Sequence, residues 1–213
     1  MTNNKEKSNK IKVYKFRALS SDKEFSRAKQ IIETGCFWCS NFWELNDPME
    51  GVYSNSNISP TKILKIFEGK SEHKICSFSG SKALRKPSLW GYYANGCKGL
   101  VIEIEVEESK VKAVNYISQK QFKNDIDDVK EILSRKWDDW KLEDEFRFLV
   151  KSDNNFHKIG EITKVYFGNP YDGLNNTPVI LNKSKDLSKF NELKKELIKV
   201  CEAKDILTND INF

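Results

Sequence analysis

Glu143-Asp144-Glu145-Phe146-Arg147-Phe148-Leu149-Val150 is the stretch on which the reading of this chain turns. A strand sends successive side chains to opposite faces. Phe146, Phe148 and Val150 are therefore expected to point into a core, while Glu143, Glu145 and Arg147 share the other face. Two carboxylates and a guanidinium on one face of an apolar strand have the composition of a site. The plainer reading is a solvated face with a local Glu-Arg pair, which contributes little. The stretch follows Trp137-Asp138-Asp139-Trp140, read as the end of a helix over 119–140 with Phe122, Ile126, Val129, Leu133 and Trp137 along one stripe.

Upstream, Val13-Tyr14-Lys15-Phe16-Arg17 alternates as a strand does, with Arg17 facing away from Tyr14 and Phe16. Ser20, Ser21 and Asp22 offer N-caps to a helix carrying Phe25, Ala28, Ile31 and Ile32, which Gly35 ends. Cys36-Phe37-Trp38-Cys39 is a short apolar segment leading into the turn-rich Asn46-Asp47-Pro48-Met49-Glu50-Gly51. A short helix is predicted within 60–72. A strand over Lys74–Ser79 then puts Cys76 and Phe78 on one face, Ser77 and Ser79 on the other. Leu89 to Ala94 reads as a short helix broken at Asn95-Gly96, Leu100 to Val106 as a strand, and Val111 to Tyr116 as another. Downstream come a turn at Asp153-Asn154-Asn155, a strand from Ile162 to Phe167, and an amphipathic helix over 186–203 with Leu187, Phe190, Leu197 and Cys201 on one side.

The chain has 213 residues, 38% hydrophobic and 12% aromatic, enough for one folded domain with a real core. Thirty-six basic residues against 31 acidic ones give a formal charge of +5, which permits phosphate-bearing ligands without demanding nucleic acid. No apolar run reaches membrane-spanning length, and the polar N-terminus lacks a secretory pattern. Five cysteines then read as reduced thiols in a cytoplasm. The expected architecture is a single α+β domain with mixed or antiparallel sheets flanked by helices. Residues 1–10 form a lead-in, 11–182 the core, and 183–213 a C-terminal amphipathic helix and tail whose exposed helix would support a homodimer.

Three strands carry the candidate chemistry. Arg17 ends the first, Ser77 and Ser79 share a face of the second, and Glu143 and Glu145 share a face of the late one. A guanidinium holds a pyrophosphate or ribose through several donors in fixed geometry. A hydroxyl orients the ribose or the supporting carboxylate. A carboxylate accepts a ribose 2′-OH and stabilises positive charge as a glycosidic bond breaks, through an oxocarbenium-like transition state. Three unrelated amphipathic strands would show the same residues.

Other chemistries fit less well. Cys36-x-x-Cys39 is half a zinc site without a second C-x-x-C, His73 and His157 stand alone, and Cys76 and Cys97 would complete four thiolates only if the fold happened to bring them together, so no metal is expected. No helix N-terminus follows Cys36 to lower its pKa for redox work. Glu103, Glu105 and the upstream Asp47 are of the kind two-metal nucleases use, but no lysine sits two residues beyond either glutamate, and Glu103 and Glu105 read as a solvated strand face. Lys82, Arg85 and Lys86 beside Trp90, Tyr92 and Tyr93 make a basic-aromatic neighbourhood suited to a nucleotide or single strand, or a solvated loop beside a core helix.

The order Tyr14-Lys15-Phe16-Arg17, Asn46-Asp47-Pro48-Met49-Glu50, Cys76-Ser77-Phe78-Ser79, Leu89-Trp90-Gly91-Tyr92-Tyr93-Ala94 with Gly99, Trp140 with Glu143-Asp144-Glu145-Phe146-Arg147, and Phe167-Gly168 resembles the bacterial domain-of-unknown-function 2971 family. The likeness spans most of residues 13–168. The family's histidine near the end of the Trp-Tyr-Ala stretch falls here at Cys97 or Lys98. That resemblance implies no reaction. A second one does. A first strand ending in Arg17, a helix ending Ile31-Ile32-Glu33-Thr34-Gly35, the Ser77-Phe78-Ser79 strand and the Glu143-x-Glu145 pair are similar in order to ADP-ribosyltransferase folds. The resemblance implies NAD as cofactor, Glu145 as catalytic, Glu143 orienting the acceptor, Arg17 binding NAD, and Ser77 or Ser79 supporting Glu145. Trp90, Tyr92 or Tyr93 would stack on nicotinamide. The expected function is thus an ADP-ribosyltransferase-like enzyme with a protein, nucleic-acid or other acceptor, in bacterial stress or phage defence. The alternative is a non-catalytic nucleotide- or nucleic-acid-binding module.

Overall fold

A computed structural model describes residues 9–47, 59–118, 128–170, 185–211 and 213. Its centre is decided by β-branched residues. Strand β1 (Lys10–Ala18) lies against β4 (Gly99–Glu107) along its full length, from Lys10 opposite Glu107 to Ala18 opposite Gly99. Strand β10 (Glu161–Phe167) pairs antiparallel on the far edge of β4, and β11 (Leu207–Asp210) adds a parallel strand to β10. On the other edge of β1 comes β3 (His73–Ser79), which pairs in full with β8 (Glu145–Lys151), from His73 opposite Lys151 to Ser79 opposite Glu145. The two-residue β5 (Lys112–Ala113) closes a mixed seven-stranded sheet. Two short ribbons flank it: β2 (Cys36–Trp38) with β9 (Phe156–Lys158), and β6 (Asn115–Ile117) in parallel with β7 (Arg135–Trp137).

One face of the sheet holds the larger core. Helix α1 (Asp22–Thr34) starts where the Ser21 hydroxyl accepts the Glu24 N–H at 3.3 Å and stops at Gly35, whose φ of 68° only glycine adopts freely. Its Ala28, Ile31 and Ile32 pack with Val13, Ile102, Ile104, Val165 and Phe167. Helix α5 (Lys185–Glu202) adds Phe190, Leu193, Leu197 and Cys201 to the same cluster. The opposite face holds a smaller cluster, in which Leu89 and Trp90 of α3 (Pro87–Tyr93) meet Tyr14, Phe16, Val101 and Ile211. Helix α2 (Pro60–Ser71) lies beside β3. The α+β class is as expected. The apolar stripe of α5 packs inside this core, and the segment after it extends the sheet.

Several local expectations are corrected. Strand β1 opens at Lys10, the last residue of the expected lead-in, and residues 1–8 lie outside the described residues. Much of the Asn46–Gly51 turn also lies outside them. The strand expected over Val111–Tyr116 is interrupted at Val114 between β5 and β6. The long helix over 119–140 does not form across its described part. Instead α4 spans only Val129–Ile132, capped by Asp128 accepting the Glu131 N–H at 2.9 Å, and Arg135–Trp137 is strand β7. A helix through this region would keep an apolar stripe at Leu133 and Trp137. The strand instead buries Arg135 and Lys136, and Lys136 finds two carboxylates there. A buried ammonium is tolerated only when paired in this way.

Candidate functional site

The sheet divides between β1 and β3. Among the described residues Tyr14 opposite Ser79 is their one register pair, against nine between β1 and β4. Beyond it the two strands part, and the Lys15 ammonium reaches across to donate to the Ser77 carbonyl at 2.6 Å. The parting leaves an open cleft of about 270 Å³. Arg17, Ser77, Ser79, Tyr93, Glu143 and Glu145 all line it, together with Lys15, Lys136 and Trp38. Six of the eight residues predicted from sequence therefore line it, with Ser77, Ser79 and Glu145 on one face of the sheet and Arg17, by the register of Tyr14 opposite Ser79, on the other.

The other two are not. Trp90 is 0% exposed, edge-on to Phe16 with ring centroids 5.5 Å apart, and its indole N–H donates to the Leu84 carbonyl at 2.8 Å, so it is a core residue. Tyr92 is 72% exposed and does not line the cleft. Successive residues of α3 point about 100° apart, which gives Trp90, Tyr92 and Tyr93 different surroundings. Of the three, only Tyr93 reaches the cleft. Lys82, Arg85 and Lys86 also lie outside its lining.

Glu143 and Glu145 converge by a route other than the one expected. Glu143 is not on the strand but ends a 3-10 segment over Asp138–Glu143, and Asp144 turns the chain in a left-handed conformation (φ 48°, ψ 50°) before β8 begins. The turn is held from outside. The Gly80 N–H donates to the Asp144 carbonyl at 2.6 Å and the Lys82 N–H to Asp144 Oδ2 at 3.3 Å. A Cβ on Gly80 would stand 2.3 Å from that oxygen, so only glycine allows the approach. Asp is among the residues that tolerate the left-handed region.

The result is a buried cluster of two carboxylates and two cations. Lys136 Nζ donates to Glu143 Oε2 at 2.6 Å and Glu145 Oε2 at 3.2 Å, and lies over the Trp140 ring. Arg147 donates from Nε to Glu145 Oε1 at 2.9 Å and from Nη2 to Oε2 at 3.2 Å, with Nη1 on the Leu133 carbonyl. The Tyr93 hydroxyl donates to Glu143 Oε1, and the Glu145 N–H donates to the Tyr116 hydroxyl at 2.8 Å. Burial alone would raise the Glu145 carboxyl. Arg147, then Lys136, then the hydroxyl of Ser77 overcome this and hold it well below the carboxylate range. Burial, then Glu143, push the Tyr93 phenol up. The expected solvated charged face of β8 is the more buried one, with Glu145 5% and Arg147 1% exposed, while Phe146 and Phe148 are half-buried.

Two cleft cations come from β1. Burial lowers the pKa of both Lys15 and Arg17. Arg17 Nε is buried without a hydrogen-bond partner, an unmet donor in a residue that borders the cleft. Lys15 was not singled out in the sequence, although period-2 spacing places it on the same face as Arg17. Lys136 was also missed, because the periodicity around it pointed to a helix.

Glu103 requires a correction too. It is buried, not solvated, and accepts from Lys12 Nζ at 2.9 Å, Tyr14 at 3.2 Å, Thr163 at 2.7 Å and Tyr166 at 3.1 Å. Burial raises its carboxyl, but Lys12 and the hydroxyls bring it below the ordinary value. Among the described residues no group of three or more His, Cys, Asp or Glu is placed to hold a metal, and no helix is long and apolar enough to cross a membrane. No protein-family model matches the chain, nor does any curated protein or solved structure.

Proposed function

We propose that the cleft between β1 and β3 binds NAD or a related nucleotide and that the chain is an ADP-ribosyltransferase-like enzyme. The observation that carries this reading is that Arg17, Ser77, Ser79, Tyr93, Glu143 and Glu145 all line one open cleft, from five separate elements. In this reading Arg17 and Lys15 meet the pyrophosphate, and the Arg17 Nε gains the acceptor it lacks. Tyr93 borders the nicotinamide. The ionised Glu145 accepts the ribose 2′-OH, and its charge favours the cation that forms at the anomeric carbon as nicotinamide leaves. Each carboxylate oxygen accepts up to two hydrogen bonds. Glu145 Oε1 takes one from Arg147, and the Ser77 hydroxyl also reaches this carboxylate, so a sugar hydroxyl would take the place of Ser77. Glu143, shared between Tyr93 and Lys136, borders the acceptor side. The resemblance to the bacterial 2971 family belongs with this proposal, as does a role in bacterial stress or phage defence inside a cytoplasm.

One observation favours the second reading, a non-catalytic nucleotide- or nucleic-acid-binding module. Both Glu145 oxygens already carry cation donors, an arrangement that also serves to hold the fold together. Incubation of purified protein with NAD, following nicotinamide release, separates the two. Release that Glu145→Gln abolishes while NAD binding persists in protein still folded at the assay temperature supports the enzyme. NAD binding that depends on Arg17, with no release from the wild type in the presence of protein, nucleic-acid and small-molecule acceptors, supports the module. Absence of both binding and release sinks the nucleotide reading.

A further inference from the structure

Cys39 and Cys76 play no part in the chemistry above, yet the fold sets them opposite each other. Ser40 and Ile75 form an antiparallel bridge, each N–H donating to the other's carbonyl at 2.8 Å. The next pair in that register is Cys39 with Cys76, a position without mutual backbone hydrogen bonds. Such pairs have Cα atoms about 4.5 Å apart, inside the span of about 4.4–6.8 Å that a disulfide bridges. Asn155 fixes the Cys39 backbone on both sides, accepting its N–H at 2.7 Å and donating to its carbonyl at 2.9 Å. Both thiols are buried and within hydrogen-bonding reach of one another. The sequence neighbour Cys36 is half-buried and outside this register, with its thiol toward the Thr34 carbonyl as that of Cys39 is toward the Phe37 carbonyl.

The surroundings are equally specific. Cys76 lies between Ile75 and Ser77, both of which line the cleft, and the charges of Lys15 and Arg17 act on it. Burial opposes its ionisation, but Cys39, Lys15 and Arg17 outweigh that and bring its pKa below the ordinary thiol value, while Cys39 is pushed up.

We propose that Cys39 and Cys76 are a dithiol that a peroxide converts reversibly to a disulfide, and that this conversion sets the charge the cleft offers to an anion. The Cys76 thiolate attacks one peroxide oxygen. The O–O bond breaks, giving a sulfenic acid and a hydroxide that takes the Cys39 proton to leave as water. The Cys39 thiolate attacks the sulfenic sulfur and the S–O bond breaks, releasing hydroxide that is protonated from solvent to a second water. Two thiols and one hydrogen peroxide thus yield one disulfide and two waters, and a dithiol reductant reverses the change. Where the reduced Cys76 is ionised, its charge offsets Lys15 and Arg17. The neutral disulfide leaves both cations to the cleft, whichever anion enters it, so the inference does not depend on NAD being the occupant.

The test treats the full chain with one equivalent of hydrogen peroxide, then alkylates under denaturing conditions and maps peptides. The five thiols should fall to three, with a Cys39–Cys76 peptide that dithiothreitol dissolves. In Cys39→Ser the reaction should stop at a Cys76 sulfenic acid, captured by a cyclic diketone. Five surviving thiols, or a bond that uses Cys36, would overturn the pairing. Calorimetry with inorganic pyrophosphate tests the consequence. Oxidised protein and reduced Cys76→Ser should both bind roughly tenfold tighter than reduced wild type, the order expected for removing one nearby anion at an effective dielectric near 20. Equal affinities in all three would overturn the coupling to the cleft.

Discussion

Glu103 and Glu145 are both buried carboxylates on central strands, and both are held below the ordinary carboxylate value, yet their surroundings differ in kind. Glu103 is met by three hydroxyls and one lysine whose own side chain is 56% exposed, and it does not line the cleft. Glu145 is met by two buried cations and stands at the edge of an open space. Burial of a charged group therefore does not by itself mark a site. What distinguishes Glu145 is the parting of β1 from β3, which leaves polar groups facing room for a ligand. On the other edge of β1 the strands stay paired along their full length with β4 and do not part.

The largest expected effect lies in the Glu145 cluster. Arg147→Ala strips a buried carboxylate of its two-pronged partner and should cost about 3–5 kcal/mol of stability in urea unfolding. A loss under about 1 kcal/mol, the range of exposed pairs, would show that water or Lys136 takes over and that the cluster is less closed than described. Arg147→Met, similar in size, separates lost charge from lost packing.

Acid should expose the same contrast. Both glutamates have folded pKa values below their unfolded value of about 4.5. Above that value each is ionised in both states and its contribution is complete. As pH falls below it, the unfolded chain takes protons first, and the contribution shrinks until pH passes the folded value. The stability gap between wild type and Glu145→Gln should therefore be widest near neutrality and narrow as the solution is acidified. The same narrowing should be smaller for Glu103→Gln, whose one cation is mostly in water. A gap that stays constant with pH would mean that the glutamine is penalised for its shape and not for its missing charge.

The parts of this arrangement that were legible in the sequence are those that depend on local period. Alternation on β3 and β8 put Ser77, Ser79 and Glu145 on one face of the sheet, but the register of Tyr14 with Ser79 leaves Arg17 on the other face, with Lys15 and Cys76. Ser21 and Gly35 marked both ends of α1. Glu143 was placed correctly for the wrong reason, since a left-handed Asp144 does what a straight strand was expected to do. What was not legible depends on contacts far apart in the chain. Lys136 needed strand β7, which a helical stripe concealed. Trp90, Tyr92 and Tyr93 are interchangeable on paper, and only the packing of α3 on Phe16 sends the first inward and leaves the last at the cleft. The depth of Glu103 depends on Tyr166 and Thr163, about sixty residues downstream.

Two tyrosines test that account with smaller effects. Tyr166→Phe removes a donor to Glu103, and Tyr93→Phe removes one to Glu143. Each should cost about 1.5–3 kcal/mol, the range for a hydrogen bond to a charged acceptor. Their effect on the cleft should differ. Only Tyr93→Phe should weaken NAD binding measured by calorimetry, because only Tyr93 lines the opening. Equal weakening by both would mean that the two carboxylate networks communicate across β1, and the division of the sheet would lose its functional meaning.

The smallest effect belongs to Lys12. Its ammonium is 2.9 Å from Glu103, a distance that in a buried pair would make it a major contributor. Most of its side chain is in water, however, so the Coulomb gain is screened and the entropy of holding a long side chain offsets much of the rest. Lys12→Ala should cost less than about 1 kcal/mol, and added salt should shrink that cost further. The three hydroxyls remain to satisfy Glu103. If Lys12→Ala instead destabilises as strongly as Arg147→Ala, then Glu103 depends on charge and not on hydroxyls. The two glutamates would then be the same kind of site, differing only in whether the neighbouring strands have parted.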